Sequence, residues 1–343
     1  MRIAIIGAGI SGITSAYLLR QKFLTAKIDI YETRKNQIGG NCYDKITKNY
    51  YKQYYGPHIF HTSNKEVWEF LNKFSQFEFY QHKVGSYING NIYKIPVHEN
   101  EVLINKIDEN SFNNAEDYLN KKIGKDFTDK YFKFYSEKQW GIPFNMLPIS
   151  IVNRIPINKV NEDRYFPNDK YQGIPSNGFT NLCKEIFIKS KSNIFYKKIN
   201  YSFVKKYDLI ILTGRIDEFF DYEFGKLQYR YLKFFFKEYS IKNYQNYSVI
   251  NYPNDYDFTR ITEFNKFLKN KKFKKTLICL EYPTNNFNDE PCYPIFWDDL
   301  SQQILKHYKE KYKNVVCIGR LANYQYINID KAIENTFLKI NSL

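Results

Sequence analysis

The sequence predicts an α/β fold in which a parallel sheet covered on both faces is combined with a helical portion and a separate antiparallel sheet. Three observations carry this. Residues 1–6 are an Ile-rich apolar run leading directly into Gly7-Ala8-Gly9-Ile10-Ser11-Gly12. Two further apolar runs, at 207–214 and 314–320, also contain glycine at their ends, as expected for buried parallel strands whose C-terminal ends meet a ligand. Segments 229–236, 247–252 and 275–281 are instead rich in aromatic and β-branched residues, the composition of an antiparallel sheet.

The opening segment carries the most chemistry. Gly7 permits a tight turn, Gly9 lets the backbone approach a pyrophosphate, and Gly12 lets a helix over 11–22 pack on the strand. A diphosphate would sit on the N–H groups around Ser11, where the helix dipole favours anions. Glu32 closes the next apolar run twenty residues after Gly12 and is placed to accept from ribose hydroxyls. Gly39-Gly40-Asn41 supplies a second glycine turn, and Gly319-Arg320 a late one. A long cofactor needs backbone contacts from several loops, so FAD is preferred here over NAD.

Lys and Arg total 51 against 36 Asp and Glu, a net charge of +15. Such a balance suits a phosphate-rich partner, either nucleic acid or a nucleotide-linked substrate. Lysines are spread along the chain, however, and Lys, Asn, Ile, Tyr and Phe are inflated together, which assigns most of the charge to composition. Nucleic acid is therefore not the expected partner. Five scattered cysteines without CxxC spacing argue against a disulfide framework or a zinc site, and the expected home is a reducing cytoplasm. The apolar start reads as a buried first strand and not a signal peptide, and no stretch approaches the length of a membrane span.

A helical stretch is expected over 114–140, with capping residues at 111–117, a C-cap at Gly124 and a second helix from Asp126. Phe127, Tyr131, Phe134 and Tyr135 recur at three- and four-residue spacing, which reads as a core stripe.

Several uncommon segments follow one another along the chain. They include Gly56-Pro57-His58-Ile59-Phe60-His61-Thr62, Lys138-Gln139-Trp140-Gly141, Arg154-Ile155-Pro156, Tyr171-Gln172-Gly173-Ile174-Pro175 and Gly178-Phe179-Thr180. Gly225-Lys226-Leu227-Gln228-Tyr229-Arg230, Thr259-Arg260, Glu281-Tyr282-Pro283 and Gly319-Arg320-Leu321-Ala322-Asn323-Tyr324-Gln325-Tyr326 continue the series. From end to end this resembles the UDP-galactopyranose mutase family. The resemblance implies a flavin isomerase that interconverts the pyranose and furanose forms of a nucleoside-diphosphate sugar through a flavin N5–sugar adduct, with no net redox change. It also implies a cofactor that is active when reduced, by NAD(P)H or a chemical reductant, a homodimer, and a place in capsule or other cell-surface polysaccharide synthesis. The rival reading is an FAD-dependent oxidoreductase of the amine-oxidase type on the same fold.

Position by position, Arg154 resembles the loop arginine that closes over the diphosphate and Arg260 its partner from the sheet. Guanidinium forks suit that task. Tyr135 resembles the base-stacking residue, although its spacing from Tyr131 fits core packing equally well. Trp140 starts the mobile loop, and Tyr165, Tyr293 and Tyr326 resemble tyrosines that hold the diphosphate. His58 and His61 border the flavin, His82 takes a sugar-side polar position, and Arg230, Glu281 and Arg320 match further active-site positions. As a metal pair, His58 and His61 lack a third ligand, so no metal is expected.

The chain also departs from the family's pattern. Asn158 replaces a second loop arginine, Cys292 a tyrosine, and Ile327 and Asn328 a tyrosine and an acid. With Asn328 counted among the substrate-binding residues, these changes predict a sugar altered on the pyranose. The implied organisation is a cofactor domain in three parts (1–66, 175–216 and 299–343), a sheet domain in two (67–98 and 217–298), a helical domain at 99–147, and a mobile loop with sheet at 148–174.

Overall fold

A computed structural model describes residues 1–154, 157 and 162–343 of the chain. The expected departure at Asn158, like Ile155 and Pro156 of the arginine motif, lies outside the described residues. Around Arg2–Ile6 a parallel sheet of five strands is ordered Asn193–Tyr196, Lys27–Glu32, Arg2–Ile6, Leu209–Leu212 and Val315–Cys317. Its strands come from three separated parts of the sequence; the central ones are short apolar runs that bury both faces, whereas the edge strand Asn193–Tyr196 is largely exposed. Ile3, Ile5, Ile28, Ile30, Ile211 and Leu212 are all essentially inaccessible. Helices Ile10–Lys22, Phe179–Ser190 and Ile329–Asn341 pack together on one side of it.

The second sheet has seven strands, in the order Cys292–Pro294, Tyr229–Tyr239, Thr276–Thr284, Arg260–Glu263, Val249–Asn251, Val84–Ile88 and Asn91–Ile95. It departs from the antiparallel expectation at one pair: Val249–Asn251 runs parallel to Val84–Ile88, because the hairpin of residues 84–95 enters from a distant part of the chain. Direct cross-strand pairing places Ser86, Asn251, Arg260 and Glu281 in one row, and directly opposed residues share a face.

Helix Ala115–Ile123 is capped by Asn114, whose side chain accepts from Asp117 N, and it ends at Gly124 with φ +85°. The next helical segment does not keep one register. Asp129–Lys133 is a π-turn, which inserts a residue and rotates the face that follows. As a result Tyr131 and Phe132 are buried while Phe134, read from spacing as core, is 43% exposed.

One carboxylate fixes the helix that backs the cofactor side. Asp44 accepts from Phe179 N (2.7 Å), Thr180 N (2.8 Å) and Tyr51 Oη (2.7 Å), and so caps helix Phe179–Ser190 from a distant strand. Gly178 is confined to glycine there, with φ +84° and space for a Cβ only 2.8 Å from the Asp44 carboxylate. Asp44→Ala strands these three donors, and the expected loss is about 3 kcal/mol of unfolding free energy, measured by urea denaturation.

Candidate functional site

At the C-terminal edge of the parallel sheet the backbone is drawn so close that side chains are excluded. A Cβ on Gly12 would lie 2.0 Å from Gly7 O, and one on Gly40 would lie 2.8 Å from Gly9 Cα. Gly39 N donates to Ala8 O at 2.9 Å, which ties the second glycine turn to the first. Helix Ile10–Lys22 starts immediately beyond, with no side-chain cap and no acid in its first turn. Its free N–H groups are an anion cradle. Glu32 is buried beside it, accepting from Ala8 N and Arg34 N at 2.8 Å each. A carboxylate has lone-pair capacity beyond those two bonds.

These groups line a cavity of about 350 Å³, whose wall includes Gly7, Gly9, Ser11, Glu32, Gly39, Gly40, Asn41, His58, Gly319, Arg320 and Asn328. Sequence reasoning missed two of its cations. Arg34 pairs with Glu290 (2.9 Å), bonds Asn41 Oδ1 (3.1 Å) and covers the Tyr55 ring. Arg215 pairs with Asp217 and stacks over Tyr229. Arg34 stands two residues after Glu32 and Arg215 directly follows Gly214, so position next to a glycine turn or strand end was the available signal. Glycine turns, an uncapped helix start and a buried acid fit the pyrophosphate and ribose of a dinucleotide such as FAD.

A second cluster adjoins the cavity. Arg260 and Glu281 form a two-pronged ion pair, 2.9 and 2.8 Å, with Glu281 buried. Arg154 is exposed; it donates to Tyr326 O (3.1 Å) and Asn328 Oδ1 (2.9 Å) and lies over the Tyr326 ring. Arg320 also reaches the Tyr326 ring while donating to Ile327 O. Burial pushes the Tyr135 and Tyr165 hydroxyls up, and both feel the Arg260 charge. Asn328 therefore touches both the cavity and the arginine of the second cluster.

Four expected residues are placed differently. His61 is absent from the cavity wall: its ring stacks on Phe166 at 3.5 Å and its Nδ1 meets Asp169 at 2.5 Å. Arg230 is buried and spends its guanidinium on Gln139 O, Lys138 O and Asn285, a clamp on the C-terminus of helix Phe134–Trp140. Tyr293 has its hydroxyl satisfied by Gln139, as donor to its O (2.7 Å) and acceptor from its Nε2 (2.6 Å). Cys292, read as a sugar-side change, lines the cofactor cavity instead, because strand alternation turns it away from Tyr293 and toward Arg215 and Arg34. Trp140 is buried, edge-on to Tyr293, Trp297 and Tyr326.

The fold and this site define a dinucleotide-binding protein of the doubly wound type, with an arginine- and tyrosine-rich cluster beside the cavity to which the second sheet contributes Arg260 and Glu281. The chain belongs to the UDP-galactopyranose mutase family: the profile described as "UDP-galactopyranose mutase" matches residues 130–326, and one for an NAD(P)-binding Rossmann-like domain matches 5–74. The UDP-galactopyranose mutase of Mycoplasma genitalium is 34% identical over 99% of this chain and 94% of its own. The dTDP-fucopyranose mutase of Escherichia coli is 34% identical over 97% and 96%. Among solved structures, a reduced UDP-galactopyranose mutase superposes with a TM-score of 0.77 at 14% identity, covering 99% of this chain and 93% of that one, a likeness of fold.

Two histidines yield a pH expectation. Burial, helped by the Arg320 charge, lowers His58 to about 4 from an ordinary 6.5; burial, helped by Arg260, lowers His82 to about 3. Both are neutral when folded and protonate more readily when unfolded, so below pH 6.5 the unfolded chain binds more protons and stability falls. Each contributes a slope of about 1 kcal/mol per pH unit between roughly pH 6 and pH 5. Urea titrations across that interval are expected to show the slope reduced by about one such share in His58→Gln.

Proposed function

We propose that this chain is a flavin-dependent isomerase interconverting the pyranose and furanose forms of a nucleoside-diphosphate sugar. The observation that carries it is the junction at Asn328, where a dinucleotide cavity meets a pocket of guanidinium and phenol groups suited to a diphosphate. Bound FAD, in its reduced form, supplies the nucleophile for the anomeric carbon. Gly9, Ser11 and Gly12 would hold its pyrophosphate through backbone N–H groups and Glu32 its ribose, while Gly7, whose N–H is given to Tyr31 O, makes the turn that places them.

The chain's own residues do the rest. Arg154 has no carboxylate partner among the described residues, so its full charge is available to a departing diphosphate. Glu281 fixes the Arg260 guanidinium in orientation and leaves Nη1 free to donate. Tyr165 and Tyr326 stand beside the Arg154 charge, and Tyr135 offers a ring for the base. His58, neutral and anchored by Gly56 O (2.9 Å), stands between the two clusters, within reach of the Arg320 and Arg260 charges. With Cys292 on the cofactor wall, Asn328 is the departure that bears on substrate. It presents a neutral acceptor to Arg154 in place of an acid. The resemblance further supports a homodimer in cell-surface polysaccharide synthesis, and five unpaired cysteines suit a reducing cytoplasm. No helix among the described residues is long and apolar enough to cross a membrane.

Purified protein is expected to be yellow and to release FAD on acid precipitation. With chemically reduced enzyme, Arg154→Ala and Arg260→Ala are each expected to lose about 2 to 4 kcal/mol of transition-state stabilisation. A panel of UDP-galactose, UDP-N-acetylgalactosamine and dTDP-fucose tests the sugar. The 6-deoxy sugar is expected within about tenfold of UDP-galactose in kcat/KM, the limited discrimination of a site lacking a charged acceptor. No interconversion of any member, or near-normal rates in both variants, contradicts the reading.

A further inference from the structure

Within electrostatic reach of Arg260, three buried side chains form a chain that the site as described does not use. Tyr80 Oη meets Ser248 Oγ in a short hydrogen bond and His82 Nδ1 at 3.3 Å. The His82 ring is held by Tyr165 at 5.5 Å, Phe166 at 6.0 Å and Phe267 at 6.5 Å, which restricts its rotation. Its carbonyl also accepts from Tyr165 N, fixing the two residues together.

Two proton arrangements satisfy the geometry, and they differ in cost. If His82 Nδ1 carried the proton, it would donate to Tyr80, Tyr80 would donate to Ser248, and the Ser248 hydroxyl proton would have no acceptor. Ser248 Oγ has no partner besides Tyr80 among the described residues, and the residue is only 5% exposed. A buried unpaired donor is the expensive outcome. If Ser248 donates to Tyr80 and Tyr80 to His82 Nδ1, every hydroxyl proton is used, and the imidazole proton must sit on Nε2. His82 Nε2 has no hydrogen-bond partner among the described residues, so it is the ring nitrogen left to meet a ligand.

We propose that Ser248 and Tyr80 are positioning residues that set the His82 tautomer, so that His82 presents an Nε2–H donor to an oxygen acceptor on the sugar. This rests on the isomerase reading for its substrate, while the tautomer itself does not. A site that donates one fixed hydrogen bond discriminates against a sugar lacking the matching oxygen.

The test is nitrogen NMR of the protein labelled with ¹⁵N-histidine, in which the five histidines are few enough to resolve and His82→Gln identifies the signal. The wild type is expected to show His82 protonated on Nε2, and Tyr80→Phe to lose that preference. Protonation on Nδ1 in the wild type, or an unchanged tautomer in Tyr80→Phe, overturns the proposal, whether or not any sugar is turned over. With a nucleotide-sugar that the reduced enzyme isomerises, Tyr80→Phe is expected to lower kcat/KM about tenfold, with nucleoside-diphosphate affinity unchanged. His82→Gln offers an amide donor that has no tautomer, so adding Tyr80→Phe to it is expected to cost nothing further. An equal loss in both backgrounds means that Tyr80 merely supports the fold, and overturns the positioning role. Failure of the isomerase reading is distinct: no nucleotide-sugar is converted although the tautomer is as stated.

Discussion

The contact between two glycine turns is the constraint on which the rest depends. Gly9 and Gly40 approach so closely that a Cβ on Gly40 would fall 2.8 Å from the Gly9 backbone, and Gly12 has no room at all beside Gly7 O. Because these backbones meet, the start of helix Ile10–Lys22 opens onto the cavity with its N–H groups free, and the chain after Glu32 is turned back over it. Gly319 closes the third side, where a Cβ would press on Ser11 Oγ at 2.8 Å. A larger residue at any of these points would fill the cradle or push the turns apart.

Charge is then sorted by pairing. Arg34, Arg215 and Arg260 each hold a carboxylate, and Arg230 holds helix-terminal carbonyls, so these cations are fixed in place. Among the described residues Arg154 and Arg320 hold only carbonyl and amide oxygens. That contrast separates the guanidinium groups that build the site from those whose charge remains available to a phosphate. The same sorting commits the polar atoms of Arg230 and Tyr293 to residues 138, 139 and 285.

Much of the parallel sheet was legible because its determinants are local. An apolar run, a glycine turn and an acid at fixed spacing have one simple structural solution. The π-turn at Asp129–Lys133 was not legible, since nothing in the residue types of 127–135 marks the inserted residue that exposes Phe134. Nor was the side on which Cys292 and Tyr293 lie, because strand alternation gives two faces and only the partner strand decides between them. His61 illustrates the same limit: its motif brought it near the flavin loop, but Asp169 and Phe166, over a hundred residues on, take up its ring. Of the Ser248, Tyr80 and His82 chain the sequence marked only His82, because Ser248 comes to Tyr80 from 168 residues away.

The central claim is that a cofactor in its reduced state acts without being consumed. Counting turnovers per reduced flavin under anaerobic conditions, with the sugar products followed by NMR, tests it most directly. The account predicts many furanose molecules formed per flavin, with the flavin still reduced at the end. One product per flavin, or oxidation of the flavin in step with substrate, would contradict it and favour an oxidoreductase on the same fold.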